Sequence, residues 1–190
     1  MSSNHNNFNT EKLFKRKDEN CGFKFCPYCS NKLISEHHDG KDRLKCSSKS
    51  CDYIFYQNPV PSAGAIIVEN DKILLVKRAH PPKLNWWCFP AGFMEWNEHP
   101  SQTCIRELKE ETGLDVKINS LFDIYSGNDD PRTNAILILY ICDRIGGELT
   151  AADDALEVKF FHLDDLPEKI AFESHIQALA DYNNRFRKKM

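Results

Sequence analysis

The sequence predicts an α+β fold, an α/β/α sandwich around a mixed sheet, preceded by a small cysteine-bearing module. Three observations predict it. Cysteines 26, 29, 46 and 51 form two closely spaced pairs near the N-terminus. Short apolar runs of strand length recur between Ala63 and Phe161. Two stretches, Pro100 to Thr112 and Ala171 to about Lys188, have helical spacing of their apolar side chains instead. Strands and helices that mix without strict alternation fit a mixed sheet covered by helices.

A chain of 190 residues allows one ordinary domain plus a small module. The net charge of −3 argues against a dedicated nucleic-acid binder. That charge is unevenly divided: residues 1–60 carry ten Lys/Arg against seven Asp/Glu, and the remainder fifteen against twenty-one. The split points to two units of different chemistry. No apolar run approaches the ~20 residues that span a bilayer, so no membrane partner is expected. The N-terminus is polar and Asn-rich, without a hydrophobic signal segment. A cytoplasmic protein with reduced thiols is therefore expected, and its eight cysteines favour metal binding over disulfides. An organellar address in the tail is weakened by Glu11, Asp18 and Glu19. The expected division is a disordered tail over 1–20, a ribbon over 21–58 and a main domain over 59–190. The oligomeric state is left open, a homodimer included.

Phe25-Cys26-Pro27-Tyr28-Cys29 opens the ribbon, and Cys46 and Cys51 close it, giving C-x2-C, sixteen residues, C-x4-C. Each pair places two thiolates on one tight knuckle, and two knuckles close a tetrahedral zinc site. Some thirty residues carry too little apolar surface to fold unaided, so Zn²⁺ would supply the folding energy. Four thiolates leave no open position, which makes the zinc structural. The second spacing is wider than usual, so Cys21, His37 or His38 could replace one ligand. Leu33-Ile34 and Arg43-Leu44 suggest short strands around a turn at His37 to Gly40. Tyr53, Phe55 and Tyr56 could stack on bases, but packing against the next domain is the preferred reading.

In the main domain, Ala63 to Val68 and Lys72 to Lys77 flank Glu69-Asn70-Asp71, a hairpin signal. Arg78 to Asn85 is a proline-containing loop, and Trp86 to Pro90 leads to Ala91-Gly92, where small side chains allow close backbone approach. Val116 to Ser120, Leu121 to Tyr125, Ala135 to Cys142 and Val158 to Phe161 read as strands, with a turn at Ile145 to Glu148 and a loop at Leu163 to Pro167. In the last helix, Phe172, Ile176, Leu179 and Ala180 are expected to face inward.

The helix from Pro100 to Thr112 carries the chemistry. Pro100 suits its first position, because the missing N–H would have no partner there. Gly113 suits the residue past its end, where a left-handed conformation is cheap only for Gly. At ~100° per residue, Cys104, Ile105, Leu108 and Thr112 gather on one side. Glu107, Glu110 and Glu111 fall in a separate sector. Carboxylates at this spacing repel by a few tenths of a kcal/mol per pair, and they lie at the end where the helix dipole disfavours negative charge. A hard divalent cation such as Mg²⁺ or Mn²⁺ among them would make sense of the arrangement.

The wider pattern is Gly92, five residues, Glu98, seven residues, Arg106-Glu107-Leu108, one residue, Glu110-Glu111, one residue, Gly113-Leu114. Agreement at all nine positions resembles the Nudix box, and with the preceding ribbon the chain is similar to zinc-ribbon Nudix hydrolases. The resemblance implies a Nudix-type sandwich and hydrolysis of a nucleoside diphosphate linked to another group, by water and divalent ions. It implies Glu107, Glu110 and Glu111 as metal ligands with the Ala91 carbonyl. Arg106 would orient Glu107, and Glu98 would buttress the site. An acidic residue beyond the box often joins such a site, and Glu157 is the candidate. Glu107, Glu110 or Glu157 would act as general base. Asn97 and Ala91 stand where the family often has Gly.

Zinc-ribbon members resemble either NADH pyrophosphatases or enzymes acting on ADP-ribose and FAD. The Ser-Gln-Pro-Trp-Pro-Phe-Pro run of the former is absent; the region reads Ser126-Gly127-Asn128-Asp129-Asp130-Pro131. Pro131 lies about where ADP-ribose-type members place a proline. The resemblance therefore favours ADP-ribose or FAD, with release of AMP. Phe93, Trp96, Tyr125 and Phe172 are candidates for gripping the base. The alternatives are an NADH-type pyrophosphatase, a house-cleaning enzyme for oxidised nucleoside triphosphates, and a non-catalytic nucleotide- or RNA-binding module.

Overall fold

The computed structural model describes residues 22–186. The tail expected over 1–20, the alternative ligand Cys21 and the last turn near Lys188 lie outside the described residues. The described residues divide into two compact units, one within Met1–Asn58 together with Pro131–Thr133, the other within Pro59–Asp130 and Asn134–Met190.

In the first unit, β1 (Leu33–His38) and β2 (Lys41–Cys46) pair antiparallel, and β3 (Ile54–Phe55) joins β2. Asp39 and Gly40 between β1 and β2 both have positive φ, 49° and 76°, as a two-residue hairpin turn with the twist of its strands requires.

The second unit holds two sheets. Its strands are β4 (Val60–Ile66), β5 (Val68–Glu69), β6 (Lys72–Arg78), β7 (Trp87–Cys88), β8 (Ala91–Phe93), β9 (Leu114–Gly127), β10 (Ala135–Gly147) and β11 (Ala155–His162). One sheet has the order β8-β4-β10-β9 and is mixed: β10 runs parallel to β4 and antiparallel to β9. The other is antiparallel, β11-β6-β5, with β7 also on β6. Helix α1 (Pro100–Thr112) and helix α2 (Glu173–Phe186) complete the fold.

Alternation along the strands builds two cores. On β4, Ala63, Ala65 and neighbouring Ile67 pack with Cys104 and Leu108 of α1, whereas Ile66 packs with Ala178 and Leu179 of α2. On β6, Leu74 joins the α1 side, and Ile73 and Leu75 the α2 side. Strands covered on both faces need apolar residues at successive positions, which is why the runs at 63–67 and 73–76 are uninterrupted. Helix, sheets, helix: this is the expected α+β sandwich.

Some elements differ from expectation. The turn at Asn70-Asp71 forms, but its hairpin is β5–β6, because the first run breaks after Ile66 and its two parts join different sheets. The strands expected at 116–120 and 121–125 are one strand, β9, with register shifts that absorb the polar Asn119-Ser120 step. β10 continues through the turn expected at 145–148 because Gly146 and Gly147 stay paired to β9. In α2 the inward residues are Ser174, His175, Ala178 and Leu179, while Ile176 is exposed. Leu179 faces inward as expected, whereas Ala180 is exposed and Phe172 precedes the helix.

Candidate metal and active site

The four ribbon cysteines converge. Cys26 and Cys46 are buried, and the sulfurs of Cys26, Cys29, Cys46 and Cys51 all lie within 4.8 Å of one another. The Cys26–Cys51 and Cys29–Cys46 sulfur separations are 3.7 and 3.3 Å. A tetrahedron with ~2.3 Å metal–sulfur bonds has edges of about 3.8 Å, so the donor set fits zinc. The Asn31 amide donates to Cys29 Sγ at 3.4 Å and, with further hydrogen bonds, lowers that thiol to about 6. His37 instead pairs with Asp42 at 3.0 Å, and His38 with Asp39 at 3.3 Å.

In the second unit, α1 is built to present its acidic sector. Its N-terminus is closed by a capping box, in which His99 N–H donates to Gln102 Oε1 at 2.8 Å and Ser101 N–H to His99 Nδ1 at 3.3 Å, followed by Pro100. Its C-terminus ends on Gly113 at φ 72°, whose N–H returns to Lys109 C=O. The carbonyls of Glu111 and Thr112 accept N–H groups of Ala152 and Thr150. Thr103, Cys104, Leu108, Glu111 and Thr112 are buried, and Ile105 is exposed, contrary to its expected place on the inner face.

Arg106 is the hub. Its Nε and Nη2 grip both oxygens of Glu98 at 2.6 and 2.8 Å, its Nη1 donates to Glu107 at 2.6 Å and Glu110 at 2.9 Å, and Nη2 also reaches the Phe93 carbonyl at 3.1 Å. All five donors of the guanidinium have acceptors. Glu98 further accepts the Thr103 hydroxyl at 2.7 Å and the Glu95 N–H at 3.0 Å. Arg106, then these two bonds, hold the Glu98 carboxyl down at about 2. Thr103 escaped the sequence reading; a hydroxyl five residues after Glu98, on the turn entering α1, was the available signal.

The other carboxylates feel burial. The Glu107 side chain is 13% exposed, and desolvation raises its pKa against the pull of Arg106. Burial, then the Glu107 charge, pushes Glu111 well above the ordinary range. Glu111 accepts the Ala91 N–H at 3.0 Å, which sets Ala91 beside the helix. A β-carbon on Gly92 would overlap the Glu107 carboxylate, so only glycine permits this approach. Glu107 and Glu111 are both desolvated, and a hard divalent cation beside them would relieve the cost of ionising them together. Among the described residues, however, the four cysteines are the only donor side chains that already stand three or more within 4.8 Å of one another.

Glu110, on the Arg106 hub, is 44% exposed. The remaining predicted residues are dispersed. Glu157 lies on β11, half exposed, paired with Lys77 at 3.3 Å. Phe93 is partly exposed, and Trp96 fully so, in the turn closed by Glu98 N–H on Glu95 C=O. Tyr125 is buried in the core with its hydroxyl on Asp181 at 3.0 Å, so its ring is committed to packing. Phe172 precedes α2 with the Arg78 guanidinium 5.0 Å over its ring, and Pro131 falls in the first unit.

A glycine-led loop and glutamate-bearing helix on a mixed sheet define a Nudix fold, and the NUDIX domain family model matches residues 58–182. The chain belongs to the Nudix family and is a Nudix hydrolase. It is 42% identical over 163 residues to the ADP-ribose pyrophosphatase of Methanocaldococcus jannaschii, covering 84% of this chain and 95% of that protein. The crystal structure of a NUDIX hydrolase from Nitrosomonas europaea superposes with a TM-score of 0.76 at 32% identity, covering 88% of this chain and 94% of that one. The NAD-capped RNA hydrolase NudC of Pectobacterium atrosepticum is 26% identical over 76% of this chain, which spans about half, 53%, of that relative.

Proposed function

We propose that the chain hydrolyses the diphosphate linkage of a nucleoside diphosphate derivative, ADP-ribose foremost and FAD next, releasing AMP. Residues 21–58 would form a zinc ribbon held by Cys26, Cys29, Cys46 and Cys51, and 59–190 the catalytic domain, in a cytoplasmic setting. The observation that carries it is the Arg106 hub, which gathers Glu98, Glu107 and Glu110 beside the buried Glu111.

Glu107, Glu110, Glu111 and the Ala91 carbonyl would hold Mg²⁺ or Mn²⁺. The ion, when bound, neutralises the charge of the diphosphate and acidifies water. Arg106 keeps Glu107 and Glu110 oriented. The candidate bases are Glu107, Glu110 and Glu157; Glu107 and Glu110 each give one carboxylate oxygen to Arg106.

Similarity over nearly the full length of an ADP-ribose pyrophosphatase supports ADP-ribose. NADH-type dinucleotides are the second reading, supported by the likeness to an NAD-capped RNA hydrolase and opposed by the sequence Ser126 to Pro131. The test is AMP release from ADP-ribose, FAD, NADH, diadenosine polyphosphates and CoA with Mg²⁺. Glu111→Gln should lower turnover by about 100-fold with folding intact. No AMP from any substrate, with tight salt-sensitive RNA binding, would replace the enzyme by a binding module.

A further inference from the structure

Between β7 and β8 the chain leaves one sheet for the other. Trp87 and Cys88 pair with β6, and Ala91 to Phe93 with β4. At the crossing, Phe89 is fully buried, and Pro90, which follows, has no N–H. A buried N–H between two strands of different sheets needs an acceptor from elsewhere. It finds one 86 residues away: the Phe89 N–H donates to Nδ1 of His175 at 3.1 Å.

His175 is buried on the inner face of α2, with its ring 5.7 Å from that of Phe89 and 5.8 Å from that of Phe172. Accepting at Nδ1 places the ring proton on Nε2. The start of the helix is tied to the same crossing. Trp87 N–H donates to Lys169 C=O at 2.8 Å, and Ala171 N–H to Trp87 C=O at 2.6 Å. Two residues beyond Phe89, Ala91 donates to Glu111, and Gly92 lies against Glu107. Pro90 C=O accepts the Ala65 N–H at 3.1 Å, so the short segment 89–91 is pinned in turn by α2, β4 and α1.

We propose that His175 is a positioning residue: its Nδ1 fixes the strand crossing at Phe89 and thereby sets Ala91 and Gly92 against Glu111 and Glu107. The inference rests on the reading of Ala91 and Glu111 as cation ligands. α2 is then part of the machinery that shapes the site, although it contributes no carboxylate to it.

Three measurements on the full chain test this. A scalar coupling across the hydrogen bond, from Phe89 ¹⁵N to His175 ¹⁵Nδ1, is expected; its absence overturns the proposal. His175→Leu, which removes the acceptor, should speed amide exchange at Phe89 and Ala91 about 10-fold and weaken Mn²⁺ binding about 10-fold. His175→Asn, whose Oδ1 takes the place of Nδ1, should restore both, a rescue that general packing would not produce. Parental exchange at Ala91 together with parental Mn²⁺ affinity in His175→Leu refutes the role. Should that variant not fold, the coupling and the behaviour of His175→Asn decide: lost protection at Ala91 in His175→Asn counts against it. If the parental chain itself binds no Mn²⁺, the ligand reading fails, and the coupling and exchange still judge the positioning role.

Discussion

Gly92 shows how one missing carbon governs a site. The Glu107 carboxylate occupies the space that a β-carbon at position 92 would fill. Gly92→Ala should leave the far-UV circular dichroism unchanged, because the strand β8 can form with alanine. It should nevertheless displace Glu107 and reduce AMP release about 10-fold or more. Unchanged turnover would show that the close approach has no catalytic consequence. Arg106 illustrates the complementary principle. A guanidinium that satisfies five acceptors fixes three glutamates at once, which a lysine with its compact charge would not do. Arg106, Glu107, Glu110 and Gly92 were all legible in the sequence, because the box spaces them rigidly. Thr103 and the burial of Glu111 were not: both depend on what lies against the helix.

Helix α1 has two faces of unequal weight. Leu108 is fully buried, and Ile105, assigned to the same side by periodicity, is exposed. Leu108→Ala should therefore cost about 2–5 kcal/mol in urea unfolding, and Ile105→Ala less than about 1 kcal/mol. Equal costs would contradict the orientation of the helix. In α2 the decisive residue is His175, whose pKa is lowered to about 3 by burial and then by the Arg78 charge. A histidine depressed in the folded state and ordinary in the unfolded state makes stability highest above pH ~6.5. That contribution is lost as pH falls, by about 1.4 kcal/mol per pH unit toward pH 3, because only the unfolded chain binds the proton. His175→Asn should remove this part of the slope in unfolding titrations between pH 7 and 4.5. An identical slope would assign the acid sensitivity to other groups. Hydropathy passed over His175 because a polar residue on an inner stripe scores as surface; the stripe through Ser174, His175, Ala178 and Leu179 becomes visible only when spacing is weighed above polarity.

At the scale of the molecule, the two units rest on different physics. The second buries apolar side chains on both sides of its sheets. The first has few buried apolar residues among those described, with four thiols at its heart. Elemental analysis should give about one zinc per chain, and chelation should unfold the ribbon while leaving the amide protection of β4 and β6 in place. A chelated chain with intact β1–β2 protection would show that the metal is dispensable. The cysteine knuckles, the hairpin turns at Asp39-Gly40 and Asn70-Asp71, the capped helix and its glutamates were determined by the sequence alone, because each depends on residues a few positions apart whose spacing is set by local backbone geometry. Three things were decided only by the tertiary structure: the break of the first apolar run between two sheets, the burial of Glu111 against Ala91, and the reach of His175 across 86 residues to Phe89. Each joins groups distant in the chain, and such groups meet only where the packing of whole elements brings them together.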